Sequence, residues 1–138
     1  MPLFNTLVFA FLAALHLYWA LGNKAAPAAL PAHPDGRLVL RPGRGLTLLV
    51  AAGLLVFAGL SAAGAGWLPL PFPASWVRAG NAAVAVLLLL RVVGDFRYVG
   101  LSKRVTGTSF ATNDTRYYTP LCLLLALSTL LGLLHFAS

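Results

Sequence analysis

Long apolar runs joined by short polar connections set the pattern of this chain. The runs cover roughly residues 2–22, 45–67, 76–97 and 120–136. A bilayer core takes about 20 apolar residues as helix, and about 17 is near the lower limit. Each run therefore predicts one membrane-crossing helix. Thr119 fits a helix N-cap and Pro120 the first helical position, where a missing N–H is harmless, so the fourth span is expected to begin there. The leading run has no Lys or Arg before Lys24 and so lacks the basic start of a cleaved signal segment; it is read as a retained span. The expected fold is all-α, an integral membrane four-helix bundle, as a single domain over residues 1–138.

Within the runs, small residues recur at helical spacing. Ala58, Ala62 and Gly66 repeat every four positions on the second span, and Ala10 and Ala14 do so on the first. Such faces let helices approach closely in lipid, and packing inside the bundle is the expected use.

Composition agrees with the pattern. Hydrophobic residues make up 59% of the chain and charged residues 9%, against about 25% charged in a soluble domain. The net charge of +7 is placed in the connections. Lys24, Arg37, Arg41 and Arg44 face Asp35 in the first loop; Arg97, Lys103, Arg104 and Arg116 face Asp114 in the third. The second loop, GWLPLPFPAS, is uncharged and interleaves Trp67, Phe72 and Trp76 with prolines, as suits a turn resting at the headgroup level. The positive-inside rule then puts loops one and three in the cytoplasm and both termini outside, in the cell inner (plasma) membrane. The bases also suit anionic lipid head groups. No basic stripe with interleaved aromatics points to nucleic acid.

The polar residues inside or beside the spans gather at one end. Asn5, His16 and Asn23 share a face of the first span, with Tyr18 and Trp19 nearby. Asn81, Arg91, Asp95 and Tyr98 fall on one arc of the third. Arg91 lies six residues, about 9 Å, inside the expected helix end. A charge at such depth faces the bundle interior with a partner, and Asp95 at i+4 is the expected one. The candidate polar cluster is His16, Tyr18, Trp19, Arg91, Asp95, Arg97, Asp114, Arg116 and Tyr117. It reads either as an Arg91–Asp95 pair that pins the third helix, or as an anion pocket in which Arg91, Arg97 and Arg116 grip phosphate or carboxylate. His16 either satisfies a hydrogen bond within the bundle or exchanges a proton with Asp95 or Asp114.

No metal site or cofactor is expected. His16 and His135 differ in depth by about 15 Å, and no HExxH, cysteine set, nucleophile elbow or phosphate loop occurs. Cys122 is the single cysteine, in an apolar run.

The segments HLYWALG at 16–22, RVVGDFRYVGLSKRV at 91–105 and FATNDTRYYTPLCLLL at 110–125 carry a resemblance. Through them the chain resembles an uncharacterised family of small bacterial four-span membrane proteins, a DUF3995-like domain of unknown function. The likeness implies four spans and stresses the same polar end; it implies no activity.

These features favour a non-enzymatic binding or structural membrane protein, an accessory or assembly subunit packing against other membrane helices or against further copies of itself. A second reading is a ligand-handling protein or enzyme with a cytoplasmic-side pocket, built from Arg91, Asp95 and His16, for an anionic or lipid head group. A small-solute transporter is weaker, because inverted repeats and broken helices are not evident.

Overall fold

The computed structural model describes residues 2–22 and 29–135; Asn23, Lys24 and Phe136 lie outside the described residues. Four helices are long and apolar enough to cross a membrane, making this a multi-pass membrane protein: α1 (Pro2–Ala20), α2 (Arg44–Gly64), α3 (Ala74–Val93) and α4 (Ser109–His135). Among the described residues no strand forms beyond an isolated bridge between Ala32 and Leu38.

Backbone chemistry explains each helix end. α2 closes with Gly66 at φ +77, where the Gly66 N–H reaches the Ala63 carbonyl and the Trp67 N–H the Ala62 carbonyl. That pair of bonds is a Schellman cap, which calls for a left-handed residue and so for glycine. α3 begins directly after Pro73, earlier than the expected residue 76. It stops at Val93 rather than 97, because Gly94 turns the chain at φ +91. Arg91 therefore stands in the last turn of α3, not deep inside it.

The fourth helix corrects the expected start. Thr119 and Pro120 do not open it; the helix has already run from Ser109. Thr108 is the N-cap, its hydroxyl accepting from the Ala111 N–H at 3.0 Å. Residues Asp114–Tyr118 form a wider π turn, in which the Thr119 N–H bonds the Asp114 carbonyl five residues back. A proline inside a helix loses one hydrogen bond and collides with a carbonyl of the preceding turn. The wide turn immediately before Pro120 re-spaces those carbonyls.

α1 packs along α2, and α3 along α4; the two pairs join through α2 with α3 and α1 with α4. Phe9, Ala58, Val84, Leu88, Leu125 and Ala126 form the central core. The Phe9 ring meets Phe57 edge-on, with centroids 5.6 Å apart. Ala58 from the small-residue stripe lies in this core, whereas Ala10 and Ala14 face outward. The outward surfaces are otherwise large and apolar, as with Leu7, Phe11, Leu49 and Leu55, which suits contact with lipid.

The two basic loops sit at the same end. Loop one folds as a small hairpin in which the His33 N–H bonds the Arg37 carbonyl at 2.8 Å, and Gly36 turns at φ +87. Its tip reaches loop three, where the Tyr98 hydroxyl lies 3.1 Å from His33 Nδ1 and the rings meet edge to face.

Candidate functional site

The basic end carries two separate constructions. The first centres on Asp114, which is fully buried in the π turn of α4. One carboxylate oxygen accepts from Arg91 Nη2 at 2.6 Å. The other accepts from the Gly100 N–H at 2.8 Å and from Lys103 Nζ at 3.1 Å. Lys103 Nζ also donates to the Gly100 carbonyl at 2.8 Å. The carboxylate thus joins α3, α4 and loop three through charge-assisted bonds.

The Arg91–Asp95 pair expected from spacing is not formed. An i,i+4 pair needs continuous helix, and Gly94 ends the helix between them. Asp95 instead accepts from the N–H groups of Arg97, Tyr98 and Val99 at 2.9, 2.7 and 2.9 Å. Burial pushes the Asp95 carboxyl up, but those three N–H groups outweigh it and hold the carboxyl below its usual range. Loop three then doubles back so tightly that Gly94 and Gly100 touch. A Cβ on Gly94 would collide with the Val99 carbonyl, and one on Gly100 would stand 2.6 Å from the Gly94 Cα.

The other members of the cluster separate. Arg97 lies over the Tyr98 ring at 5.2 Å and Arg116 over the Tyr117 ring at 5.5 Å. Tyr18 and Tyr117 are exposed. His16 reaches neither Asp95 nor Asp114. Its Nδ1 is 2.7 Å from the Leu12 carbonyl, and since a carbonyl only accepts, Nδ1 carries the proton. The edge of Trp19 packs against its ring, with centroids 5.0 Å apart.

His16 and Trp19 open onto the second construction, a cavity of about 940 Å³ between the basic ends of α1 and α2 and the hairpin of loop one. Leu30, Leu38, Leu40, Leu46 and Val50 give it an apolar wall. Arg41, Arg44 and Thr47 add polar groups. Arg44 is committed in part, since its Nε donates to the Ala20 carbonyl at 2.8 Å and so caps α1. Arg41 is exposed and makes no hydrogen bond or ion pair among the described residues.

From sequence, Arg41 and Arg44 count as orientation signals, and this cavity is not foreseen. The available signal was Leu38 and Leu40, apolar residues between Arg37 and Arg41 in a loop otherwise suited to water. Among the described residues no cluster of His, Cys, Asp and Glu has the arrangement of a metal site.

The family described as "Protein of unknown function (DUF3995)" matches residues 9–129. The chain belongs to that family. The match spans both constructions, with His16 and Trp19 near its start and Asp114 near its end. No curated protein and no solved structure matches the chain.

Proposed function

We propose that this DUF3995 member is a non-enzymatic, multi-pass membrane protein that holds an anionic lipid. The head group lies against Arg41 and the rim of the cavity between α1 and α2, with the acyl chains along Leu38, Leu46 and Val50. The observation that carries this reading is Arg41, a guanidinium without a partner among the described residues, on the wall of a largely apolar cavity of about 940 Å³. Small-molecule sites are concave and mostly apolar, with a few polar groups that fix orientation. A guanidinium offers planar, paired donors suited to a phosphate. The basic end facing the cytoplasm, in the plasma membrane, brings Arg41 to the leaflet that carries anionic lipids.

The saturation of Asp114 supports a binding role over chemistry. Its two oxygens already take three donors, which leaves it poorly placed as a general base. An accessory role remains compatible, because a lipid held at the loops would lie within reach of a neighbouring membrane protein.

Native mass spectrometry of the protein released from membranes of defined composition tests the reading. Retention of phosphatidylglycerol over phosphatidylcholine, weakened about fivefold in Arg41→Gln, is expected. Equal retention of both lipids by the native chain overturns it. A stoichiometric protein partner without bound lipid would replace it with the subunit reading.

A further inference from the structure

At the end of the bundle opposite the basic loops, all four helices contribute to a second cavity of about 30 Å³. Its polar lining is Asn5 from α1, Ser61 from α2, Asn81 from α3, and Ser128 and Thr129 from α4. All five are more than nine-tenths buried, and among the described residues no ionisable side chain lines the cavity.

The hydrogens of this lining are mostly engaged elsewhere. Thr129 Oγ1 donates to the Leu125 carbonyl at 2.8 Å and Ser61 Oγ to the Pro2 carbonyl at 3.2 Å. Asn81 Nδ2 donates to the carbonyls of Leu60 and Val77 at 2.9 and 3.0 Å. Asn5 Nδ2 donates to Thr129 Oγ1 at 3.0 Å. Asn5 Oδ1 and Ser128 Oγ have no hydrogen-bond partner among the described residues. Two such buried polar oxygens on facing helices call for a guest that bonds both.

We propose that this cavity is a binding site for one water molecule, which donates to Asn5 Oδ1 and bonds Ser128 Oγ, joining α1 to α4. The volume admits it, since a water needs about 10–15 Å³ on this measure. The neutral lining favours an uncharged guest, because a bare ion in a low-dielectric interior needs a counter-charge. The water adds a second polar link between α1 and α4 beside the direct bond from Asn5 Nδ2 to Thr129 Oγ1.

A high-resolution crystal structure of the full chain tests the site directly. One density peak about 2.7–3.2 Å from both Asn5 Oδ1 and Ser128 Oγ is expected; a dry cavity overturns the proposal. Thermal unfolding in detergent supplies two further readouts. Replacing sodium chloride by N-methylglucamine chloride should leave Tm unchanged, and a sodium-dependent rise would assign the site to a cation instead. Ser128→Ala should lower Tm in the native chain and leave it nearly unchanged in an Asn5→Val background. The same drop in both backgrounds would show that Ser128 acts alone, without a bridging guest.

Discussion

Arg91 Nη2 at the end of α3 and Asp114 Oδ1 in the π turn of α4 meet at 2.6 Å, although 23 residues separate them in the chain. The pair closes the basic end of the bundle around a carboxylate with no solvent exposure. Two cations surround it, and one is nearly as buried, the Lys103 side chain being 7% exposed. Removing the acid should therefore be worse than removing either base. Asp114→Asn leaves Arg91 and Lys103 without their counter-charge and should cost about 3–5 kcal/mol. Arg91→Met leaves Asp114 bonded to Lys103 and Gly100, and should cost about 1–3 kcal/mol. Converting Asp114, Arg91 and Lys103 together to apolar residues of similar volume should recover most of the loss. Unfolding in detergent, followed by circular dichroism, orders the three. An Arg91→Met loss equal to that of Asp114→Asn would contradict the shared-carboxylate arrangement.

The tight return of loop three depends on glycine at two positions. Gly94→Ala drives a methyl into the Val99 carbonyl, and Gly100→Ala places one 2.6 Å from the Gly94 Cα and the Val92 oxygen. Backbone cannot yield as a side-chain tip can, and both glycines also have positive φ. Each substitution should reduce the yield of folded protein severely. Gly53→Ala in α2, where a Cβ meets nothing within 4 Å, should be neutral or stabilising by up to about 1 kcal/mol. Size-exclusion profiles of the three variants compare them directly.

Asp95 gives loop three a dependence on pH. Its folded carboxyl titrates below the ordinary value of 3.8 because three backbone N–H groups stabilise the anion against the opposing effect of burial. A depressed folded pKa contributes stability that is complete above the unfolded pKa and is lost as pH falls through the folded one. Asp95→Asn should therefore lower Tm at neutral pH and close the gap to the native chain below about pH 4. Asp35, held down by the Arg37 N–H and guanidinium, has the same sign, so the comparison must be native against variant at each pH. A Tm difference that stays constant into acid would show that Asp95 does not act through its charge.

The four spans were legible because an apolar run of bilayer length, with few or no charges, has no stable place in water. The two basic loops were legible as companions at one end. What failed were rules that assume a helix continues or begins where local residues suggest it. The Arg91–Asp95 spacing presumed helix through Gly94, and Thr119–Pro120 is a helix-start signature that a π turn makes unnecessary. Asp114 was in the candidate cluster, but its role as the shared acceptor depends on contacts across 23 residues to Arg91 and 11 to Lys103. No periodicity encodes such contacts. The cavity beside Arg41 was hidden for the same reason, since it exists only once the loop-one hairpin folds back over α1 and α2.

Arg41 and Arg44 line the same cavity and separate binding from stability. Arg41 has no partner to lose among the described residues, so Arg41→Gln should leave Tm in a neutral detergent unchanged. It should weaken anionic-lipid retention by about fivefold, the equivalent of about 1 kcal/mol for one cation at an anionic surface. Arg44→Gln loses the bond to the Ala20 carbonyl as well. It should weaken retention and also lower stability by about 0.5–1.5 kcal/mol, the usual net worth of one hydrogen bond. Lipid titration monitored by native mass spectrometry, beside unfolding of the same preparations, reads both quantities. Raising salt should shrink the Arg41 effect if the arginine is exposed to screening, because the Debye length falls from about 10 Å at 0.1 M to about 3 Å at 1 M. If Arg41→Gln lowered Tm as much as Arg44→Gln and left lipid retention intact, Arg41 would be a structural residue of the hairpin and the cavity would lose its anchor for a head group.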